Sequence, residues 1–321
     1  MKTAFVTTEA PKRPTAVALG VFDGVHRGHR AVLKEAARID YLEPWVFTFS
    51  ERSLPTGKRG ALRLEPVEIK YGIMKKCGIA HVYAPDFDEV KELSGEEFVK
   101  KILIDHLRCR KVVCGSDFRF GKNAACGVGD MKELCEKYGM ECAVIEKIFD
   151  DGEAISSTRI REACENGDMQ TVRRLCGYPF CVRKEVVPGK HLGRQFGLPT
   201  INQGFDEGYI IPKFGVYVSA AYVDGKLYPA VTDVGVKPTV SEENVPVMET
   251  NIIGLFGDLY GKTVTVFLLE FVREEMVFED REALFERIAL DRKNAEKWAK
   301  LWIEGSGAET LRLLDVENEK R

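Results

Sequence analysis

Residues Ala16 to Ile39 read Ala-Val-Ala-Leu-Gly-Val-Phe-Asp-Gly-Val-His-Arg-Gly-His-Arg-Ala-Val-Leu-Lys-Glu-Ala-Ala-Arg-Ile. The apolar run Ala16 to Leu19 predicts a short buried parallel strand, broken at Gly20 by a loop that carries His26 and His29. Apolar residues at Ala31, Val32, Ala36 and Ile39 predict a helix over 31–39, so Gly28 and His29 fall at a strand-to-helix turn with free backbone N–H groups. Glycines at 20, 24 and 28 let backbone and ligand approach closely, and two imidazoles three apart can face one anion. This outlines a phosphate site. A metal pair and a plain helix cap compete with that reading. No third nitrogen, sulfur or carboxylate ligand follows at a metal-site spacing, which weighs against the metal.

Working outward, strands are expected at Trp45–Phe49, His81–Ala84, Lys111–Cys114 and Glu141–Glu146. Between them lie predicted helices at Val67–Cys77, at the segment through Phe98, Ile102 and Leu103, and at Asp130–Tyr138. Ser94 and Glu97 have the spacing of a capping box before the second of these. Such alternation indicates an α/β fold with a Rossmann-like, doubly wound parallel sheet and a ligand at the carboxyl ends of its strands. Past about residue 180 the alternation stops. Short β-rich runs at 183–187, 215–223, 226–232, 249–255 and 262–271, with turn signals such as Asp224-Gly225, indicate a small antiparallel barrel. A closing helix, Glu282 to Leu301, presents Leu284, Phe285, Ile288, Ala289, Ala295, Trp298 and Leu301 for packing. The expected domains are 1–180 and 181–321.

A chain of 321 residues is long enough for two domains, and 45% hydrophobic with 30% charged residues is ordinary for a globular protein. A net charge of −3 gives no electrostatic reason to invoke nucleic acid or a membrane. No run is apolar enough for a membrane helix and no signal-peptide core is present, so a cytoplasmic location is expected. Nine cysteines without a Cys-x-x-Cys pair form neither a disulfide framework nor a zinc site, and read as reduced, small buried residues.

Four further stretches carry chemistry. In Val113–Gly121, Asp117 and Arg119 alternate with Phe118 and Phe120, as in a pocket wall, although solvation alone accounts for the charges. Ile155–Arg161 supplies the hydroxyls of Ser156, Ser157 and Thr158 before a helix, with Arg161 one turn in; a well-capped helix is the simpler reading. Gly189, Gly193 and Gly197 permit a loop around phosphates, and Thr200 and Asn202 offer oxygens suited to a hard cation. This is not a Walker loop, because the Gly-Lys-Ser/Thr ending is missing. Glu249 precedes the turn Gly257-Asp258-Leu259-Tyr260-Gly261 and, taken alone, reads as a solvated strand residue.

Gly20, Phe22, Asp23, Gly24, His26, Gly28 and His29, in Gly-x-Phe-Asp-Gly-x-His-x-Gly-His, resemble the signature of the His-x-Gly-His nucleotidyltransferases, in its flavin-nucleotide form. Gly-x-Asp-Phe-x-Phe-Gly at 115–121 and Ser-Ser-Thr-x-Ile-Arg at 156–161 are similar to further motifs of that branch. The run Gly189 to Asn202 resembles the riboflavin kinase signature, with Pro-Thr-Ile-Asn where Pro-Thr-Ala-Asn is usual. In order along nearly the whole chain, these motifs resemble the bifunctional bacterial riboflavin kinase and FMN adenylyltransferase family.

The resemblance implies two reactions, riboflavin with MgATP to FMN and ADP, and FMN with MgATP to FAD and pyrophosphate. It implies that His26 and His29 contact ATP phosphates, with Gly20, Phe22, Asp23, Gly24, Gly28, Ser156, Ser157, Thr158 and Arg161 in the same role. Gly189, Lys190 and Gly193 would bind ATP in the kinase, Thr200 and Asn202 would ligate Mg²⁺, and Glu249 would be the general base. Asp117, Phe118, Arg119 and Phe120 would line a flavin pocket, and Arg273 would help close the kinase site. ATP, riboflavin, FMN and FAD are the implied small-molecule partners; nucleic acid and membrane are not. Ser50-Glu51-Arg52-Ser53 replaces the family's Pro-His-Pro, and Asp233, Asn251 and Gly254 replace its usual neighbours around Glu249. Retention of one activity only, or a flavin-binding regulatory module, are the alternatives.

Overall fold

The computed structural model describes residues 5–50, 62–188, 199–238 and 244–315. They group into two compact units, one of residues 5–50 and 67–156, the other of 62–66 and 157–315.

In the first unit the chain runs β1 (Thr15–Leu19), α1 (Arg27–Ala36), β2 (Glu43–Phe47), α2 (Val67–Lys76), β3 (His81–Tyr83), α3 (Phe87–Val90), α4 (Gly95–Glu97), β4 (Cys109–Gly115), α5 (Val128–Lys137) and β5 (Glu141–Ile145). Helix α4 continues as a π-helical stretch, Phe98–His106, and a short hairpin, β6 (Phe149–Asp150) and β7 (Glu153–Ala154), follows β5. The sheet is parallel throughout, in the order β3-β2-β1-β4-β5. Both faces are covered, which explains the unbroken apolar runs. Val17, Leu19, Trp45, Phe47, Val112 and Cys114 pack with Phe98, Val99, Leu103 and Met131 on one side. On the other, Ala16, Ala18, Val46 and Val113 are fully buried, as are Leu33 and Ile73 of α1 and α2. The strand order reverses between β1 and β4, so the crevice for a ligand lies beyond Leu19 and Gly115. Ser94 and Glu97 form the expected capping box.

Helix α1 starts at Arg27, ahead of the expected Ala31. Its first turn is polar and carries no apolar period; the cap at His26, not hydrophobicity, sets the start.

The second unit begins with α6 (Ser157–Glu165) and α7 (Met169–Cys176), the latter packed on β8 (Phe180–Glu185) and β13 (Thr263–Arg273). Its other strands are β9 (Thr200–Gly204), β10 (Gly215–Val223), β11 (Lys226–Pro238) and β12 (Asn244–Ile252). All pairings are antiparallel, in the order β8-β13-β10-β11-β12-β9. The sheet curls until its ends meet. The N–H of Val187 donates to the carbonyl of Asn202 at 2.9 Å, and the buried Gln203 amide donates to the carbonyls of Lys184 (2.8 Å) and Val264 (2.9 Å). Inside, Ser219, Thr232 and Thr250 form a buried hydroxyl chain at 2.7 and 2.9 Å.

Helix α8 (Arg281–Trp302) crosses β10 and β11 and is followed by α9 (Ala308–Leu314). Its buried apolar residues are Ala295, Ala299 and Trp302, whose ring lies 5.7 Å from Phe267. Trp298 and Leu301, expected in the packed face, are exposed; residue size misled the periodicity, and two alanines make the close contact. Strand β9 lies where the sequence suggests the end of a glycine loop, because Thr200 and Asn202 are its only outward-facing side chains and give no apolar alternation.

Candidate active sites

The first site is built at the end of β1. His26 is the N-cap of α1, and its Nδ1 accepts the N–H of His29 at 3.2 Å, while its carbonyl accepts the N–H of Arg30 at 3.0 Å. The two imidazoles stack, centroids 3.6 Å apart and planes 16° apart. Of the first-turn N–H groups, helix geometry leaves those of Arg27 and Gly28 without an acceptor within the helix. A Cβ on Gly28 would stand 3.1 Å from the His26 ring, and one on Gly20 would stand 3.1 Å from the ring of Phe22, so neither site admits a side chain without displacing a ring. Phe22 holds φ +54°, a left-handed value costly for an aromatic residue, and its buried ring meets His29 edge-on at 5.4 Å. Asp23 is half-buried and Gly24 buried in the same loop.

Burial lowers the pKa of His26 to about 4, helped by the Arg30 charge and opposed by that of Asp117. His29 is pushed well down, first by burial, then by His26, Lys70 and Arg30. Both rings are therefore neutral at pH 7. Because the Nδ1 of His26 is an acceptor, its proton sits on Nε2, the ring's one donor. The buried Nδ1 of His29 has no hydrogen-bond partner among the described residues.

Sequence reading missed Lys70. This buried lysine of α2 donates to the carbonyl of Val21 at 2.8 Å, and Thr48 Oγ1 donates to the same oxygen at 3.0 Å. Together they fix the strained loop from below. A lysine beside Ile69 on a helix reads as solvated, so no pattern announced it.

Of the second loop, Asp117 lies near enough to His26 to act on its charge and is ion-paired with Lys147 at 3.1 Å. Phe118 and Phe120 stack at 5.8 Å; Phe120 is buried against Phe98, while Phe118 is partly exposed. Arg119 donates to the carbonyls of Ala124 (3.1 Å) and Ala125 (3.4 Å), which ties its own loop. Ser156 ends the first unit, while Ser157, Thr158 and Arg161 open α6 in the second, where Arg161 Nε donates to the carbonyl of Leu62 at 2.7 Å.

The second site is made by strand register. Glu249 of β12 stands opposite Asn202 of β9 on one side and Asp233 of β11 on the other, and Asn251 stands opposite Thr200. Registered partners share a sheet face, so Thr200, Asn202, Glu249, Asn251 and Asp233 line one surface while Ile201, Gln203, Met248, Thr250 and Thr232 fill the core. Asn251 donates from Nδ2 to the carbonyl of Pro199 at 2.9 Å; its buried Oδ1 has no partner among the described residues. Gly189, Lys190, Gly193 and residues 51–53 lie outside the described residues.

Arg273 extends the same register across β10, standing opposite Val216, which itself stands opposite Asp233. Its Nε and Nη2 donate to Oδ2 of the buried Asp291 on α8 at 3.0 and 2.8 Å, and Arg287 Nε lies 3.1 Å from Oδ1. It clamps β13 to the closing helix.

A helix N-terminus with a neutral histidine pair at the switch point of a parallel sheet, together with two carboxylates among amide and hydroxyl oxygens on a six-stranded barrel, defines a two-unit phosphoryl- and nucleotidyl-transfer protein. Residues 8–159 match the family described as FAD synthetase, and residues 176–299 match riboflavin kinase. The bifunctional riboflavin kinase/FMN adenylyltransferase of Bacillus subtilis (strain 168) is 32% identical over 316 residues, 93% of this chain and 98% of that one. Its counterpart of the same description from Escherichia coli (strain K12) is 31% identical over 299 residues, 91% and 95% of the two chains. The chain belongs to the bifunctional riboflavin kinase/FMN adenylyltransferase family. A crystal structure described as a macrolide-efflux protein from Streptococcus pneumoniae shares the fold, with a TM-score of 0.80 at 28% identity over 91% of this chain and 98% of that one. Among the described residues, no helix is long and apolar enough to cross a membrane.

Proposed function

We infer that the protein makes FAD in two steps, phosphorylating riboflavin with ATP to FMN and ADP, then adenylylating FMN with ATP to FAD and pyrophosphate. The observation that carries this reading is the end-to-end match to a bifunctional relative, with a distinct site in each half.

For adenylyl transfer, a phosphate oxygen of FMN attacks the α-phosphorus of ATP and charge accumulates on the departing pyrophosphate. Neutral His26 and His29 and the N–H groups of Arg27 and Gly28 donate hydrogen bonds to those oxygens without a proton being lost. Asp117 and Phe118 are proposed to border the flavin, with Arg119 holding their loop and Phe120 anchoring it. Ser156, Ser157, Thr158 and Arg161 are proposed as phosphate contacts on the family resemblance. We also propose a functional division at 180/181, with α6 carrying an adenylyltransferase motif although α6 and α7 belong to the same compact unit as the barrel.

For the kinase, Glu249 accepts the proton of the ribityl 5′-hydroxyl as its oxygen attacks the γ-phosphorus of ATP. Thr200 and Asn202 present neutral oxygens beside that carboxylate, and the unspent Oδ1 of Asn251 adds another. Such a set suits Mg²⁺ held chiefly by substrate phosphates, whose charge the ion neutralises when bound. Gly189, Lys190 and Gly193 are proposed to contact the same ATP, and Arg273 to position the closing helix. Water-soluble substrates fit a cytoplasmic location.

The test is chromatography of flavins after incubation of the full chain with ATP, Mg²⁺ and either riboflavin or FMN. FAD from both is expected. FMN without FAD would leave only the kinase, FAD from supplied FMN alone would leave only the transferase, and neither product would favour a flavin-binding module.

A further inference from the structure

Three cations surround the start of α1, and they are held differently. Lys70 and Arg30 donate to loop carbonyls, those of Val21 at 2.8 Å and Val25 at 3.1 Å. Arg27, the first residue of α1, meets a carboxylate instead, with its Nη1 3.2 Å from Oδ1 of Asp150. Asp150 belongs to the hairpin β6–β7, whose turn residues Asp151 (φ +53°) and Gly152 (φ +80°) both hold left-handed values, as a two-residue type I′ turn requires. The N–H of Ile155 donates to the carbonyl of Ile148 at 2.8 Å and closes the base of the hairpin. The carboxylate thus stands on a fixed support.

Topology places this pair over the crevice. Helix α1 follows β1, the hairpin follows β5, and β4 lies between those two strands. Two strand spacings amount to about 10 Å, so the Arg27–Asp150 pair spans the carboxyl end of β4, where the strand order reverses. Ser156, a proposed phosphate contact, follows β7 by two residues. The other ion pair at this rim, Lys147–Asp117, has side chains 47% and 70% exposed, and such a pair contributes little. Asp150 is 11% exposed and Arg27 42%. A largely buried carboxylate therefore grips one edge of a guanidinium whose other N–H groups remain to be offered. We propose that Arg27 is a catalytic residue of adenylyl transfer, positioned by Asp150, and that its guanidinium binds the β- and γ-phosphate oxygens of ATP; this rests on the FMN-to-FAD reading of the same site.

In that step a phosphate oxygen of FMN forms a bond to the α-phosphorus, and the bond from that phosphorus to the oxygen it shares with the β-phosphate breaks. The electron pair of the broken bond leaves on pyrophosphate. Arg27 meets the added charge with charge-assisted hydrogen bonds and keeps its proton. His26 and His29 donate to the same oxygens but bring no net charge, so the guanidinium supplies what the imidazoles lack. Asp150 holds a long, flexible side chain in place before ATP arrives, and less freedom is then lost when the phosphates bind. Asp150 touches no substrate; it acts through Arg27.

The experiment follows FAD formation by the full chain from FMN, ATP and Mg²⁺, with and without added inorganic pyrophosphate. Arg27→Met keeps the apolar stem and removes the charge; kcat should fall about 10²-fold, and the inhibition constant of pyrophosphate should rise about tenfold. Arg27→Lys keeps a charge and should recover about a tenth of the original rate, which separates loss of charge from loss of fold. Asp150→Ala releases the guanidinium without removing it, so kcat should fall about tenfold while pyrophosphate inhibits no less strongly. A purely structural ion pair predicts equal losses from either side and unchanged pyrophosphate inhibition in every variant. That pattern, or no recovery in Arg27→Lys, would overturn the proposal. Absence of FAD from the unaltered chain would overturn both this assignment and the reading it rests on, whereas full-rate FAD formation by Arg27→Met would overturn this assignment alone.

Discussion

The two sites recognise the same cosubstrate with opposite construction. In the parallel unit, most of the groups proposed to meet phosphate come from one stretch, Gly20 to His29, and are backbone N–H groups and uncharged imidazoles. In the barrel, Thr200, Asn202, Glu249, Asn251 and Asp233 come from three strands and meet only because the register aligns them. A local site tolerates change elsewhere in its fold but not in its loop. A register-built site depends on pairing, and its proposed chemistry rests on Glu249.

The sharpest break between the two is Glu249→Gln. Removing the base while keeping the shape should lower FMN formation by about 10³-fold, and leave conversion of supplied FMN to FAD unchanged, as read by product chromatography. Unchanged FMN formation would remove Glu249 from the mechanism. Next in size is His29→Ala, which deletes one donor and the ring stacked on His26. FAD formation should fall by about 10²-fold, with FMN formation intact. Equal loss in both assays would mean that the two sites are not separate.

The same contrast explains what the sequence made legible. The alternation of strands and helices, the capping box at Ser94 and the His26–His29 loop were readable because each is a local pattern. The pairing of Glu249 with Asn202 and Asp233 was not, since register leaves no mark within any one strand. Strand β9 was hidden for a related reason, as its outward side chains belong to the site and its inward ones include the polar Gln203. Lys70 escaped because its role depends on the burial of a charge that helical spacing assigns to solvent.

Lys70 also sharpens the comparison, because it supports the local loop from a separate helix. Lys70→Met keeps the length of the side chain and removes its hydrogen bond to the Val21 carbonyl. The loss of a buried charged hydrogen bond, about 1.5–3 kcal/mol, should reduce FAD formation by more than about tenfold through kcat. It should also raise the pKa of His29, whose protonation the lysine charge opposes, and shift the acid limb of the pH–rate profile upward. Loss of activity without movement of that limb would make Lys70 a purely structural support.

The smallest effect is thermodynamic and confined to the parallel unit. His26 titrates at about 4 in the folded protein, where burial is the main cause, against about 6.5 in an unfolded chain. Between those values the unfolded chain binds the extra proton, so stability rises with pH across the window and is lost as pH falls from about 6.5 toward 4. This is the reverse of a histidine whose folded pKa is raised by an acidic partner. The full difference is on the order of 3 kcal/mol. Going from pH 7 to pH 5, hydrogen-exchange protection of β1 and α1, corrected for intrinsic exchange, should drop several-fold relative to β10 and β11. His26→Asn keeps an oxygen able to cap α1 but has no titrating ring, so it should lessen the slope, leaving the share owed to His29, while α1 stays capped. An unaltered slope would mean that the pH sensitivity of this unit comes from groups other than His26, and would separate the anion site from the stability of the helix that presents it.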